Sequence, residues 1–75
     1  MMNDTDAKSL FVTRLKELIK ENNLNISKLA MATGIPRTSM TNWINGKRTI
    51  QIDSLVKIAK FFNVSTDYLL GLKEI

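Results

Sequence analysis

The chain has 75 residues, of which 44% are hydrophobic and 24% charged, and its formal net charge is +4, so we expect one globular domain close to the smallest size that a core alone stabilises. It contains neither cysteine nor histidine, which excludes a disulfide framework and the usual zinc, iron and copper ligand sets. Because the N-terminus is polar and no apolar run reaches the roughly 18 residues of a membrane span, we expect a cytoplasmic protein.

A first helix is predicted at about Ala7 to Glu21, because apolar residues recur with helical spacing along one face: Phe11, Leu15, Leu18 and Ile19. Three residues just before it are candidate N-terminal caps: Asp4, Thr5 and Asp6. The pair Asn22-Asn23 interrupts the apolar pattern and ends this helix.

A second helix is predicted from Ile26 to Thr33, with Asn25 as its N-cap and Gly34 as the left-handed residue that ends it. A third helix follows almost immediately, at about residues 36-45, and begins at Pro36, where a missing backbone N–H costs little. Two helices joined by so short a glycine turn cross steeply, which is the geometry of a helix-turn-helix.

The third helix has two contrasting faces when its residues are placed at roughly 100° intervals. One face is mainly apolar and holds Pro36, Met40, Trp43 and Ile44. The other is polar and holds Thr38, Thr41, Asn42 and Asn45, with Arg37 at the border. Such side chains can bind base edges and phosphates in a major groove wide enough for a helix. They also occur on ordinary solvent-exposed helices, so this helix alone leaves both interpretations open.

Positive charge is concentrated around the third helix. Between Asn22 and Ile52 there is no acidic residue, and there are four cationic ones: Lys28, Arg37, Lys47 and Arg48. An acid-free block around a polar helix face is typical of proteins with a polyanionic partner.

The last third of the chain predicts two more helices. Gly46 closes the third helix, and residues 47–51 form a basic loop. A fourth helix is expected from Ile52 to Phe62, with most of its apolar residues buried: Ile52, Leu55, Val56, Ile58, Ala59 and Phe62. Ser65 caps a final helix from Thr66 to Leu70, which Gly71 ends. Five helices without a strand pattern predict an all-α, compact five-helix orthogonal bundle.

The ordered set of these residues resembles the Cro/C1-type (xenobiotic-response-element type) helix-turn-helix family, as in phage repressors. Four runs carry the resemblance: Phe11…Arg14-Leu15…Leu18, Leu29-Ala30…Gly34-Ile35, Ser39-Met40…Trp43…Gly46-Lys47, and Leu55…Ile58-Ala59-Lys60…Val64-Ser65…Tyr68-Leu69-Leu70. No single run is specific to the family, but the order and spacing of the four runs are specific to it. The resemblance implies one DNA-binding domain over residues 1-75, with a core at about 7-71 and short tails.

The resemblance also implies a function, namely that of a sequence-specific regulator of transcription, a repressor, which binds double-stranded DNA. The helix at about 36-45 would enter the major groove of an inverted-repeat operator. At positions that read bases in the family stand Arg37, Thr38, Thr41 and Asn42, and at positions that hold phosphates stand Asn25, Asn45, Lys47 and Arg48. We expect no catalytic residue, no metal and no cofactor, and therefore no enzymatic activity.

One departure from the family concerns the start of the second helix. Family members often carry a glutamine where this chain has Ile26, whose side chain cannot hydrogen-bond a phosphate. We therefore expect the backbone amides of the second helix's first turn to meet the DNA backbone instead.

The expected partners are duplex DNA and a second copy of the chain, with no membrane and no small-molecule ligand. The homodimer is expected to form through apolar residues of the C-terminal helix and tail, which could instead cap the core: Leu69, Leu70, Leu72 and Ile75. The alternative function is a protein-interaction module, such as an antitoxin or adaptor, built on the same fold.

Overall fold

A computed structural model describes the backbone of residues 5–74 and the side chains of residues 7–74. This part of the chain forms five helices and no strand: α1 (Thr5–Glu21), α2 (Ile26–Thr33), α3 (Arg37–Ile44), α4 (Ile52–Phe62) and α5 (Thr66–Leu70). The all-α, five-helix prediction is confirmed. None of the described helices is both long enough and apolar enough to cross a membrane.

The predicted helix bounds agree closely with the observed ones. For α2, α4 and α5 they are identical, and α3 is one residue shorter at each end, because Pro36 and Asn45 occupy its two cap positions. Helix α1 begins at Thr5 rather than at Ala7, so Thr5 and Asp6 lie within the helix and are not its caps. The third candidate cap, Asp4, lies outside the described residues.

Local capping interactions explain why these bounds were predictable. The side chain of Asn25 accepts a hydrogen bond from the Lys28 amide at 2.8 Å, and that of Ser65 accepts one from the Tyr68 amide at 3.0 Å. Both satisfy an amide that has no partner within its own helix. Helices α2 and α5 end at glycines with positive φ, at +76° for Gly34 and +86° for Gly71.

The core lies between α1, α3, α4 and α5, with α2 contributing one fully buried leucine. The buried hydrophobic residues of the described chain are Phe11, Leu15, Leu18, Leu29, Ile35, Met40, Trp43, Leu55, Ile58, Ala59 and Leu69. The rings of Phe11 and Trp43 meet edge to face, with 6.0 Å between their centroids. This contact joins α1 directly to the inner side of α3.

Three side chains expected to be buried are exposed instead. Ile52 is 78% exposed and Val56 37% exposed, because the side of α4 that packs on the core is already filled by its other apolar residues. Ile52 stands in the first turn of α4, between the exposed Gln51 and Asp53, and Val56 lies about 100° around the helix from Leu55. Pro36 is exposed because it precedes α3 and does not belong to its inner face.

Arg14 joins α1 to the C-terminal end of α5. Its guanidinium donates hydrogen bonds to the backbone oxygens of Tyr68 and, at 2.7 Å, of Lys73. The same group lies over the Tyr68 ring, 4.4 Å from its centroid. A cation at this position also interacts favourably with the negative, C-terminal end of the helix dipole. Arg14 thus fixes α5 against α1.

Two glycine substitutions should separate backbone strain from steric conflict. Gly34 and Gly71 both have positive φ, but a Cβ at Gly34 would meet nothing within 4 Å, whereas at Gly71 it would lie 2.5 Å from Cδ1 of Leu10. We expect Gly34→Ala to lower the free energy of unfolding by about 1 kcal/mol through strain alone. Gly71→Ala should cost about 1 kcal/mol more, because Leu10 must change its rotamer. Urea denaturation of both variants measures the difference, and equal losses would contradict the steric contribution of Leu10.

Candidate nucleic-acid interface

The turn between α2 and α3 is held by short-range hydrogen bonds. The Thr33 hydroxyl donates to the Leu29 carbonyl at 2.8 Å and accepts from the Ile35 amide at 3.3 Å, and the Gly34 amide donates to the Ala30 carbonyl at 2.9 Å. The Ile35 side chain is buried directly after the turn. The direction in which α3 leaves α2 is therefore fixed by the turn itself.

Helix α3 is anchored by one face and exposes the other. Met40 is fully buried and Trp43 is 4% exposed, which holds the helix to the core. The four residues predicted to read bases line a single shallow depression on the outer side: Arg37, Thr38, Thr41 and Asn42. The first three are exposed, and Asn42 is half-buried. The structure thus brings together all four of these side chains.

The basic loop folds back onto the end of α3. The amides of Lys47 and Arg48 both donate to the Asn42 carbonyl, at 2.9 and 3.3 Å, and the Asn45 amide donates to the Thr41 carbonyl at 2.9 Å. The loop is also held from α1, because the Lys8 ammonium donates to the Gly46 carbonyl at 3.1 Å. Asn45, Lys47 and Arg48 are all exposed, so three of the four predicted phosphate ligands lie directly after the helix that carries the predicted base-reading residues.

The fourth predicted phosphate ligand, Asn25, lies apart from this loop at the start of α2. Its Oδ1 atom is used as the helix cap, which leaves its Nδ2 amide as the group able to donate to a phosphate. Ile26, which follows, is half-buried and packs against the core. Ile26, which stands where family members often carry glutamine, therefore contributes to the packing of the core.

A second hollow contains polar residues that sequence reasoning did not single out. It has a volume of about 400 Å³ and lies between α3, the basic loop and the start of α4. Asn42 and Arg48 line it together with Ser39, Thr49, Gln51, Ser54 and an edge of Trp43. In the sequence, the only sign of this hollow is the spacing of Ser39 from Asn42 and of Gln51 from Ser54, three residues in each case. That spacing places each pair on one helix side but does not predict that α3 and α4 approach each other.

The charged residues that line these two hollows, Arg37 and Arg48, are cations. Lys28, Arg37, Lys47 and Arg48 are exposed, and neither hollow is lined by an acidic residue. Within residues 5–74, no group of three or more potential metal-binding side chains occurs. The chemistry that this surface offers is hydrogen bonding and attraction of anions.

The C-terminal residues predicted to form a dimer surface differ in how far they are exposed. Leu69 is fully buried in the core, so it is unavailable to a second chain, and its assignment to the dimer surface was wrong. Leu70 is half-buried against the core, whereas Leu72 is 68% exposed. Ile75 lies outside the described residues.

Comparison with known proteins identifies a helix-turn-helix family and similar regulators of transcription. A family model described as a helix-turn-helix domain matches residues 13–75. The chain is similar to the uncharacterized HTH-type transcriptional regulator YobD of Bacillus subtilis (32% identical over 65 residues, 87% of this chain and 58% of the relative). It is also similar to the HTH-type transcriptional activator BcrR of Enterococcus faecalis (35% over 65 residues, 87% and 32%) and to the regulator ImmR of Bacillus subtilis (34% over 62 residues, 83% and 49%).

These relatives are longer proteins, of which this chain spans about a third to somewhat more than half. Their names are those of transcription regulators and not of enzymes. No solved structure matches the chain. The matched family model covers most of the chain, including the turn, α3 and the basic loop. The chain therefore belongs to the Cro/C1-type family of helix-turn-helix domains.

Proposed function

We propose that this protein is a sequence-specific DNA-binding regulator of transcription that reads its operator with α3. The observation that carries the proposal is the depression lined by Arg37, Thr38, Thr41 and Asn42, on the face of α3 opposite its buried anchor. The major groove of DNA is wide enough to admit a helix and presents base edges to such a face. The surrounding cations attract the phosphates of the DNA backbone. Since the relatives are bacterial regulators and a bacterial chromosome lies in the cytoplasm, we place the action of the protein in the cytoplasm of a prokaryotic cell.

Each residue has a distinct role in this mechanism. The Arg37 guanidinium suits the O6 and N7 acceptors of guanine, and the Asn42 amide suits the N6 and N7 atoms of adenine. Thr38 and Thr41 offer a hydroxyl for a hydrogen bond and a methyl group for contact with thymine. Lys47, Arg48, Asn45 and the Asn25 Nδ2 amide hold phosphates on either side, together with the first-turn amides of α2.

Two copies are needed because one such helix reads only a few base pairs. A homodimer on an inverted repeat would insert the two α3 helices into successive major grooves about 34 Å apart. We assign the dimer contact to the C-terminal segment, where Leu72 is exposed, with Leu70 at its edge. Repression then follows from occupancy, because a dimer bound at a promoter excludes the polymerase.

The dimer assignment is tested by Leu72→Asp, which replaces an exposed apolar side chain by a charge. We expect the variant to remain folded, because Leu72 lies outside the core, and to sediment as a monomer at concentrations where the unchanged protein sediments as a dimer. Lys57→Asp, which alters an exposed residue of α4, is the matched control and should remain dimeric. A dimeric Leu72→Asp protein would place the contact elsewhere.

The function is tested by selection from a randomised duplex pool at about 0.15 M salt, a concentration at which specific sites still outcompete non-specific DNA. We expect enrichment of a palindrome that retains two protein chains, as measured by the mass of the complex. Retention of DNA without enrichment of any sequence would indicate that the protein binds DNA non-specifically. No retention at all would favour the protein-interaction module.

Base-reading and phosphate-binding residues should respond differently to substitution. We expect Asn42→Ala to cost about 1–3 kcal/mol of binding free energy and to relax specificity at one base position. Lys47→Ala should weaken binding to all sequences alike and reduce the magnitude of the salt slope by about 1 per chain. Fluorescence anisotropy on the selected operator and on its single-base variants measures both effects. A uniform loss from Asn42→Ala would contradict its base-reading role.

A further inference from the structure

An apolar hollow of about 210 Å³ lies beside the basic loop, between α1, α5 and the inner side of α3. Its wall is formed by hydrophobic side chains, chiefly Phe11, Val12, Trp43 and Leu70. The first and third of these form the edge-to-face aromatic pair of the core. The hollow adjoins the larger polar hollow between α3 and the start of α4, with which it shares Trp43, Arg48 and Thr49. It shares no lining residue with the depression on the outer side of α3.

The rim of this hollow is cationic. Lys8 and Arg48 both line it, and no acidic residue lies among its described lining residues. The Lys8 ammonium donates a 3.1 Å hydrogen bond to the Gly46 carbonyl, which lines a neighbouring hollow, so Lys8 must change its rotamer to bind an anion at this rim. Arg48 is exposed, and its backbone amide donates to the Asn42 carbonyl. An apolar hollow with two cations at its rim is complementary to a molecule with a hydrocarbon body and one anionic end.

The volume limits the size of that molecule. Apolar cavities of about 150 Å³ take up a benzene-sized guest, whereas pockets for drug-sized ligands begin at about 300 Å³. The hollow lies between these limits, which suits one aromatic ring with a short side chain or an aliphatic chain of medium length. Complete lipids and nucleotides are too large for it.

We propose that this hollow binds a small apolar monocarboxylate, either aromatic or medium-chain aliphatic, with its body against Phe11, Val12 and Leu70 and its carboxylate between Lys8 and Arg48. No small-molecule ligand was evident from the sequence, in which the lining residues are scattered from α1 to α5; they become neighbours only in the fold.

The site is coupled to DNA binding through Arg48, a step that rests on the proposed function. One guanidinium cannot be fully engaged by the ligand carboxylate and by a DNA phosphate at the same time. The carboxylate also adds a negative charge beside the basic loop. The ligand therefore opposes operator binding, and by reciprocity the operator lowers the affinity for the ligand.

The binding step is tested without DNA, by titrating the protein with sodium octanoate while following the fluorescence of Trp43, the single tryptophan of the chain. A ligand of this size should bind with a Kd of about 0.1–1 mM. Octanol, which has the same chain without the charge, should bind at least about fivefold more weakly. Phenylbutyrate tests an aromatic acid in the same titration. A saturable change in Trp43 fluorescence with either acid supports the proposed site.

Two variants localise the binding. Arg48→Gln removes a rim cation at an exposed position, so the fold is retained, and it should weaken octanoate binding about fivefold. Lys57→Gln removes an exposed cation that does not line the hollow and should leave the Kd unchanged. Val12→Phe should fill the hollow and abolish saturation. No saturable change with either acid, or equal binding of octanoate and octanol, would overturn the proposal.

The coupling is tested by measuring operator affinity with and without saturating octanoate. We expect the operator Kd to rise several-fold in the unchanged protein and in Lys57→Gln, and to rise clearly less in Arg48→Gln, where only the added negative charge of the ligand opposes DNA binding. Binding of octanoate without any change in operator affinity would overturn the coupling and leave the ligand site standing. A protein that binds octanoate but no DNA would instead refute the proposed function, so the two failures are distinguishable.

Discussion

Raising the monovalent salt concentration from about 50 to about 200 mM should weaken binding of the dimer to its operator by roughly 10⁴-fold. The acid-free block of each chain has four exposed cations, Lys28, Arg37, Lys47 and Arg48, so we expect the dimer to neutralise about eight phosphates, which gives a slope of roughly −7 in log affinity against log salt. Three of the proposed phosphate ligands, Asn45, Lys47 and Arg48, are exposed in one short segment, and Asn25 approaches from α2.

The salt dependence is measured by fluorescence anisotropy at several salt concentrations on the selected operator. A randomised duplex of the same length is the control, because its binding should depend on salt through the phosphate contacts while lacking the contribution of base reading. A slope of about half the expected magnitude would contradict simultaneous engagement of two chains. A slope near zero would contradict DNA as the partner of this surface.

Met40→Ala should lower the free energy of unfolding by about 2–5 kcal/mol, because truncating a fully buried side chain removes apolar contacts and leaves a cavity. A domain of this length has a total stability of only about 4–11 kcal/mol, so the melting temperature should fall by at least about 10 °C. Thermal unfolding followed by circular dichroism measures this loss.

Thr41→Ala is the matched control, since Thr41 is the next residue on α3 and lies on its exposed face. Its melting temperature should stay within about 2 °C of the unchanged protein, as expected for a surface substitution. Operator affinity should nevertheless fall. If Met40→Ala and Thr41→Ala had the same melting temperature, the assignment of one face of α3 to the core and the other to the DNA would be wrong.

Sequence reasoning succeeded where the determining interactions are local. Asn25 and Ser65 cap their own helices, and Gly34 and Gly71 end them, so a few neighbouring residues decided the bounds of α2 and α5. The two faces of α3 also follow from helical periodicity, which places Thr38, Thr41 and Asn42 on the polar face and Arg37 at its border. The family resemblance then selected these four residues, which line one depression in the structure.

Sequence reasoning failed where the outcome depends on how helices approach one another. Leu69 and Ile52 are both apolar residues of short helices, yet the first is fully buried and the second is 78% exposed. Nothing local distinguishes them, because burial depends on whether a neighbouring helix covers the site. The same holds for Ser39 and Ser54, which line one hollow only because α3 and α4 converge there.

The attachment of α5 by Arg14 has a consequence for the motions of the protein. A five-residue helix is far below the roughly 12–15 residues that an isolated helix needs in water, so α5 persists only while it is docked. Because Arg14 of α1 binds the Tyr68 carbonyl within α5 and the Lys73 carbonyl beyond it, opening of α1 releases α5 as well. In hydrogen exchange, the α5 amides should therefore exchange at the rate set by opening of α1, so that the first and last helices behave as one cooperative unit.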